Sequence, residues 1–304
     1  MASMQRLAVG DRAPAITLPA VGQSPTSWDR LAGPATVVVF TASGCPFARA
    51  WHDRIQAVAR EYADRGVQVL QLISNDATDH PEDGPESLAA RVAAGDFAGP
   101  LLHDVDQAMA QSYGATATPE VFVMDRNGIL RYHGAPDADH DDPSQNASWL
   151  RDALDDLFAG RPVVRPETSP AGCSIKWRVE LRWWEGCPSL DQAEELLTKT
   201  LVELNRDEVH VVRREVRTRE EAKTLGFVGS PTFAVGGRDL FGSDAQPALT
   251  CRLYRSDGRS GPLPSPADLA DRLRDALARP WDLPGWVDPR RAQSVFRTEE
   301  ARSE

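Results

Sequence analysis

Residues 38–46 read VVFTASGCP and residues 181–188 read LRWWEGCP, so a short hydrophobic run leads into Gly-Cys-Pro twice in one chain. Each cysteine, Cys45 and Cys187, is followed by apolar residues at helical spacing. Proline suits the first position of a helix, where its missing N–H would have no partner. Both stretches therefore predict a strand, a thiol and a helix in that order.

A second signal follows each thiol further along the chain. Thr118-Pro119 and Ser230-Pro231 each stand at the entrance of a new hydrophobic run, with a glycine five positions before the proline. The same two signals in the same order predict two thiol-active modules in one polypeptide.

Strands and helices alternate through both modules, which predicts two tandem α/β sandwiches. The separation between Cys45 and Pro119 is 74 positions, whereas that between Cys187 and Pro231 is 44. One inserted helix and strand, at about residues 87–104, accounts for the longer first module.

The predicted domain boundaries follow from composition. A proline-rich stretch without sustained periodicity separates the modules and is typical of a semi-rigid linker. The predicted parts are a first domain over 1–162, a linker over 163–177, a second domain over 178–280 and a C-terminal tail over 281–304.

The charge and hydrophobicity of the chain argue against nucleic-acid binding and against membrane insertion. The net charge of −11 is spread along the chain and no basic patch is interleaved with aromatic residues, so nucleic acid is not an expected partner. No apolar run approaches the ~20 residues of a membrane helix, and the N-terminus has no signal-peptide pattern. We expect a cytoplasmic protein with no membrane partner.

The chain has four cysteines, Cys45, Cys173, Cys187 and Cys251. They are too few and too dispersed for a disulfide-stapled scaffold, and neither C-x-x-C nor a zinc-finger spacing occurs. We therefore expect free thiols, no metal site and no cofactor.

The first module resembles the thioredoxin superfamily, and within it the redoxin branch of alkyl hydroperoxide reductase and thiol-specific antioxidant relatives with a single cysteine. The resemblance spans residues 6–177. It is carried by Gly10-Asp11-Arg12-Ala13-Pro14, Phe40-Thr41, Cys45-Pro46, Ser74-Asn75-Asp76, Pro81-Glu82-Asp83, residues 115–119 and residues 172–177. It implies a thioredoxin-like domain with a nucleophilic cysteine opposite a cis-proline loop. Since the second module repeats these signals, the chain is expected to have two tandem thioredoxin-like domains.

The second module is similar to a small thioredoxin-like domain associated with alkylmercury lyases. The matching residues are 185–188, 229–232 and 251–254. Both modules depart from thioredoxin, because Ala48 and Leu190 stand where the second cysteine of C-x-x-C belongs. The first also departs from the peroxiredoxin pattern P-x-x-x-T-x-x-C, with Val38 and Ala42 at its Pro and Thr positions.

A thiol at a helix N-terminus has its pKa lowered from ~8.5, because free backbone N–H groups stabilise the thiolate. Cys45 and Cys187 are both expected to benefit. The resemblance places Thr118 and Pro119, and likewise Ser230 and Pro231, beside the sulfur atoms as substrate-binding residues.

The other two cysteines have alternative roles. Cys173 either resolves an intermediate on Cys45 or packs uneventfully. Cys251 either resolves Cys187 or, as its strand-like context favours, is a buried and silent thiol. The acidic stretch with Asp76, Asp79, His80, Glu82 and Asp83 is predicted to be a solvated loop.

Three functions follow from these patterns. The first is a thiol oxidoreductase acting through Cys45 on a disulfide or peroxide, with the cycle completed by Cys173 or Cys187 or else by an external thiol. The second is a non-catalytic binder of a soft metal, an organometal or a client protein through Cys187 and Cys251. The third is a biosynthetic enzyme that borrows the fold.

Overall fold

The computed structural model describes residues 6–22, 33–206, 209–256 and 258–279. These residues divide into two compact units. The N-terminal unit lies within 6–105 and 109–175, and the C-terminal unit within 106–108 and 176–278. None of the described helices is long and apolar enough to cross a membrane. The predicted tail over 281–304 lies outside the described residues.

The N-terminal unit is built from strands and helices that largely alternate. In chain order these are β1 (Ala35–Thr41), α1 (Pro46–Ala63), β2 (Gln68–Ile73), α2 (Pro85–Ala93), β3 (Leu101–His103), α3 (Ala108–Tyr113), β4 (Ala117–Thr118), β5 (Glu120–Asp125), β6 (Leu130–Gly134), α4 (Ser148–Phe158) and β7 (Cys173–Ser174).

Its five-stranded sheet has the order β3-β2-β1-β5-β6. The strands β1, β2 and β3 run parallel, whereas β5 is antiparallel to β1 and β6 antiparallel to β5. Every residue of β1 is buried, since it is the central strand. Val37 and Val39 pack in one core with Trp51 and Ile55 of α1. This packing fixes the start of α1 at the carboxyl end of β1.

The C-terminal unit is smaller. Its elements are β8 (Val179–Trp183), α5 (Leu190–Glu203), β9 (Val211–Glu215), α6 (Arg219–Thr224), β10 (Thr232–Val235), β11 (Arg238–Asp239), β12 (Tyr254–Ser256), β13 (Arg259–Gly261) and α7 (Pro266–Ala276). The sheet order is β11-β10-β8-β9, with β8 and β9 parallel and β10 antiparallel to β8.

The α/β fold class is confirmed, and so is the inserted unit. Between β2 and the Thr118-Pro119 pair the N-terminal unit has α2 and β3 in addition to one helix, whereas the C-terminal unit has only α6 between β9 and Ser230-Pro231.

Residues 163–175, which we predicted as part of a linker, pack on the N-terminal unit. The N–H of His133 donates to the Pro166 carbonyl, the N–H of Thr168 donates to the His133 carbonyl, and β7 pairs with β4. This segment contains Cys173, so its packing decides where the second thiol lies.

Candidate functional site

Cys45 is the N-cap of α1, with Pro46 at the start of the helix. Its Sγ accepts a hydrogen bond from the Ala48 N–H at 3.4 Å, and its S–H donates to the Thr118 carbonyl oxygen at 2.9 Å. Only 4% of the residue is exposed. The sulfur therefore lies between a helix N-terminus and the loop that carries Pro119.

A buried carboxylate, that of Glu120, holds this loop in place. The Thr118–Pro119 peptide bond is cis, and Glu120 follows it directly. One carboxylate oxygen accepts the N–H groups of Thr116 and Ala117 at 2.7 and 2.9 Å. The other lies 2.7 Å from the Arg6 guanidinium and 2.5 Å from the His133 ring. The loop beside Cys45 is thus tied to a charged cluster inside the unit.

Those partners also explain the ionisation of Glu120. Burial opposes its charge, but the hydrogen bond and charge of His133, the charge of Arg6 and the Thr116 N–H outweigh burial and lower the pKa of Glu120 to about 2. The carboxylate is ionised throughout the physiological range.

Cys173 lies beside Cys45. The strand β7 pairs antiparallel with β4, and this register sets Cys173 opposite Thr118. Gly172 permits the close approach, because a Cβ there would stand 2.2 Å from the Thr118 carbonyl oxygen. Cys173 is half-buried and packs on a small apolar cluster with Cys45, Ala42 and Ala48.

The side chain of Cys173 influences the ionisation of Cys45. A hydrogen bond from the Cys173 side chain is the largest influence on the pKa of Cys45; burial opposes it, and Thr118 and the Ala48 N–H reinforce it. Together they lower the pKa of Cys45 to about 6. The thiolate, which is the nucleophilic form, therefore predominates at neutral pH.

Asp83 is a site residue that the sequence reasoning missed. We predicted a solvated acidic loop, but Asp83 is fully buried and accepts hydrogen bonds from the Ser43 N–H at 2.7 Å and from Asn75 Nδ2 at 2.8 Å. The bond from Ser43 stabilises the turn that leads into Cys45. No local pattern marks Asp83, because Ser43 lies 40 positions away.

A cavity of about 180 Å³ adjoins the Cys45 cluster. Its wall includes Ala42 and Ala48 of that cluster together with Thr41, Arg49, His52, Asp53, Arg91 and Phe97. His52 and Asp53 follow Cys45 by seven and eight positions, about two turns further along α1. The structure places both on the cavity wall, and His52 Nε2 lies 3.0 Å from the Asp96 carbonyl oxygen.

Comparison with known proteins finds several to which this chain is similar. Residues 8–148 match the Redoxin family. This match covers less than half of the chain, and the N-terminal unit is called the Redoxin domain below because of it. The chain is similar to two solved structures: an uncharacterized conserved protein from Geobacillus kaustophilus (31% identity, TM-score 0.54, 57% of this chain and 93% of that one) and a hypothetical protein from Sinorhizobium meliloti 1021 (32%, 0.53, 57% and 96%).

A curated relative of this chain is named for an activity. The thiol:disulfide interchange protein DsbE of Allochromatium vinosum is 33% identical over 104 residues, which are 34% of this chain. The match spans 52% of that relative's length. The narrower resemblances, to the single-cysteine redoxin subtype and to the alkylmercury lyase-associated domain, stay predictions.

The C-terminal unit repeats part of the Redoxin-domain site. The Ser230–Pro231 peptide bond is cis. Cys187 is half-buried and lies two positions before Ser189, the N-cap of α5. It is therefore not a helix cap as Cys45 is, and the expected stabilisation of its thiolate by helix N–H groups is absent among the described contacts.

Cys251 differs from our expectation. It is exposed rather than buried, and it belongs to no extended strand but forms an isolated bridge to Ser230. The prediction that Cys251 is buried is wrong, because the strand-forming residues that follow Cys251 pair only from Tyr254 onward, with β13.

Among the described residues one group has the ligand types of a metal site. The ligand atoms of Asp139, His140 and Asp141 lie within 4.8 Å of one another. Asp141 is exposed, and the His140 ring packs against Phe47 with centroids 4.3 Å apart. Since solvated acidic groups are common at protein surfaces, we assign this group no role.

Proposed function

We propose that the Redoxin domain is a thiol:disulfide oxidoreductase in which Cys45 is the nucleophile and Cys173 is the resolving thiol. The observation that carries the proposal is the pairing of β7 with β4, which sets Cys173 opposite Thr118 and in one packed cluster with Cys45. The DsbE relative, named for thiol:disulfide interchange, supports the same class of reaction.

The reaction proceeds by two exchanges. The Cys45 thiolate attacks one sulfur of a substrate RS–SR′, the substrate S–S bond breaks, and R′S⁻ leaves. The Cys173 thiolate then attacks the Cys45 sulfur of the mixed disulfide and releases RS⁻. The substrate gains two electrons and takes up two protons, and the protein is left with a Cys45–Cys173 disulfide. An external thiol of the cytoplasm, our proposed location, restores the dithiol.

Disulfides are favoured over peroxides as substrates. A peroxide substrate requires polar groups that stabilise the leaving oxygen. Val38 and Ala42, which occupy the Pro and Thr positions of the peroxiredoxin pattern, are buried apolar residues. Oxidation of Cys45 by hydrogen peroxide should therefore be slow relative to exchange with a disulfide.

Trapping of the intermediate tests the proposal. With oxidised glutathione at pH 7, Cys173→Ser should accumulate glutathione on Cys45, because no second thiol can displace it. Cys45→Ser should carry no glutathione on Cys173 on the same timescale. Peptide mass mapping reports both. Equal modification of the two thiols, or turnover of a disulfide substrate by Cys45→Ser at the wild-type rate, would contradict the assignment.

A further inference from the structure

The C-terminal unit places a second cysteine opposite the residue before its cis-proline, as the Redoxin domain does. The Ser230 N–H donates to the Thr250 carbonyl at 2.8 Å, and the Arg252 N–H donates to the Ser230 carbonyl at 3.0 Å. Cys251, between these two partners, therefore lies opposite Ser230 in a parallel bridge, just as Cys173 lies opposite Thr118 in an antiparallel pair.

The turn that carries Cys187 is tied to the same segment. Trp184 Nε1 donates to the Thr250 carbonyl at 2.9 Å, and the Cys187 N–H closes the turn onto the Trp184 carbonyl at 3.1 Å. One residue, Trp184, thus connects the turn before Cys187 to the residue before Cys251.

Tyr254 packs against the same cis-proline loop, and its ionisation responds to the charge of Cys187. Its hydroxyl donates to the Pro231 carbonyl at 2.6 Å, so it lies against the cis-proline loop. Burial raises the pKa of Tyr254, and the charge of Cys187 contributes in the same direction. Cys187 is therefore within electrostatic range of a side chain that contacts the loop paired with Cys251.

An unpartnered hydroxyl points to a bound group at this loop. Ser230 is 2% exposed, and its Oγ has no hydrogen-bond partner among the described residues. Its counterpart in the Redoxin domain, Thr118, donates from Oγ1 to the Cys173 carbonyl at 3.4 Å. A buried hydroxyl left without a partner costs free energy, and a substrate or a rearranged sulfur would supply one.

We propose that Cys187 and Cys251 are a second redox pair, independent of Cys45 and Cys173, which exchanges with organic disulfides. The exposed Cys251 thiolate attacks a sulfur of RS–SR′ and releases R′S⁻. Cys187 then attacks the Cys251 sulfur and releases RS⁻. The substrate gains two electrons and leaves as two thiols, and the unit is left with a Cys187–Cys251 disulfide.

The test uses the full-length chain with Cys45→Ser and Cys173→Ser, so that the result does not depend on the Redoxin domain. After incubation with oxidised glutathione, trypsin digestion without reductant should give one species that links residues 183–199 to residues 239–252. Both remaining thiols should be lost together. Adding Cys187→Ser should leave glutathione on Cys251. The wild-type chain should show the same linked peptides, which covers the case in which the double variant folds poorly.

Two tryptophan variants test whether the hydrogen bond from Trp184 to Thr250 promotes formation of the Cys187–Cys251 disulfide. Trp184→Phe removes the hydrogen bond to Thr250 and should lower the rate of Cys187–Cys251 closure severalfold, whereas Trp183→Phe should not. Far-UV circular dichroism checks the fold of each. Independent glutathione adducts on both thiols with no linked peptide, or no reaction at either thiol in folded protein, would overturn the proposal.

Discussion

At the scale of single residues, the reactivity of Cys45 depends on a thiol that follows it much later in the chain. The helix N-terminus contributes one N–H, from Ala48, but the Cys173 hydrogen bond is the larger influence. The sequence Gly-Cys-Pro predicts that Cys45 lies at the start of a helix. It does not predict the contact between Cys45 and Cys173. The pKa of Cys45 is therefore a property of the folded unit rather than of its motif.

Two substitutions of Cys173 separate its two roles. Cys173→Ala removes both the hydrogen-bond donor and the second thiol, whereas Cys173→Ser keeps an O–H donor. We expect the pH midpoint for alkylation of Cys45 to lie near 6 in the wild type, to stay low in the serine variant and to rise in the alanine variant. The measurement is the iodoacetamide rate between pH 5 and pH 9. Identical profiles in all three would show that Cys173 does not stabilise the thiolate.

At the scale of elements, the short strand pair β4 and β7 is the decisive contact, and Gly172 is what allows it. A methyl group at Gly172 would meet the Thr118 carbonyl at 2.2 Å. Gly172→Ala should push β7 away from β4, cost about 1–3 kcal/mol of unfolding free energy and slow disulfide closure. Ser174→Ala is the matched control, since Ser174 lies in the same strand. Wild-type closure by Gly172→Ala would count against the role of the pair.

Glu120 is the corresponding anchor for the cis-proline loop. Its folded pKa of about 2 lies below the ~4.3 of an unfolded Glu, so its ionisation stabilises the fold above pH ~4.3, and that contribution is lost as the pH falls toward 2. Glu120→Gln leaves the buried His133 and the Arg6 guanidinium without their carboxylate and should cost about 3–5 kcal/mol at pH 7.

Urea unfolding at pH 7 and pH 3 measures this effect. The variant should lose less stability than the wild type between the two values, because its side chain does not titrate. The exposed Glu86 offers the control Glu86→Gln, which should change stability by less than about 0.5 kcal/mol. A Glu120→Gln protein as stable as the wild type at pH 7 would contradict the anchoring role.

The elements themselves were largely predictable, because their signals are local. The helix predicted after Cys45 is observed as α1, and the strand predicted before it is observed as β1. Pairings between distant segments were not predictable. The pairing of β7 with β4 joins Cys173 to a residue 55 positions away, and nothing in a proline-rich stretch specifies that partner. Asp83 was missed for the same reason.

At the scale of the whole molecule, the duplicated motif corresponds to two units with the same core order of strand, thiol, helix and cis-proline loop. The two units differ in the burial of their thiols and in the position of the first thiol relative to its helix. Cys45 is a buried helix cap, whereas Cys187 lies before its helix and Cys251, its proposed partner, is exposed. The two units are therefore expected to differ in the thiol that meets a substrate first.

The four cysteines of the chain provide a count that tests this arrangement. Thiol titration in denaturant should give all four thiols in the reduced protein and none after full oxidation by oxidised glutathione, with the chain still monomeric on a non-reducing gel. Cys173→Ser should lose one disulfide and leave the C-terminal one intact. Linkage between cysteines of different units would contradict the account.

The most direct test of the central claim is disulfide mapping of the wild-type chain after one equivalent of oxidised glutathione at pH 7. If Cys45 is the nucleophile and Cys173 the resolving thiol, an early species should have Cys45 and Cys173 linked to each other, with glutathione released as two thiols. A Cys45 that stays reduced, or that retains glutathione while Cys173 remains free, would contradict it.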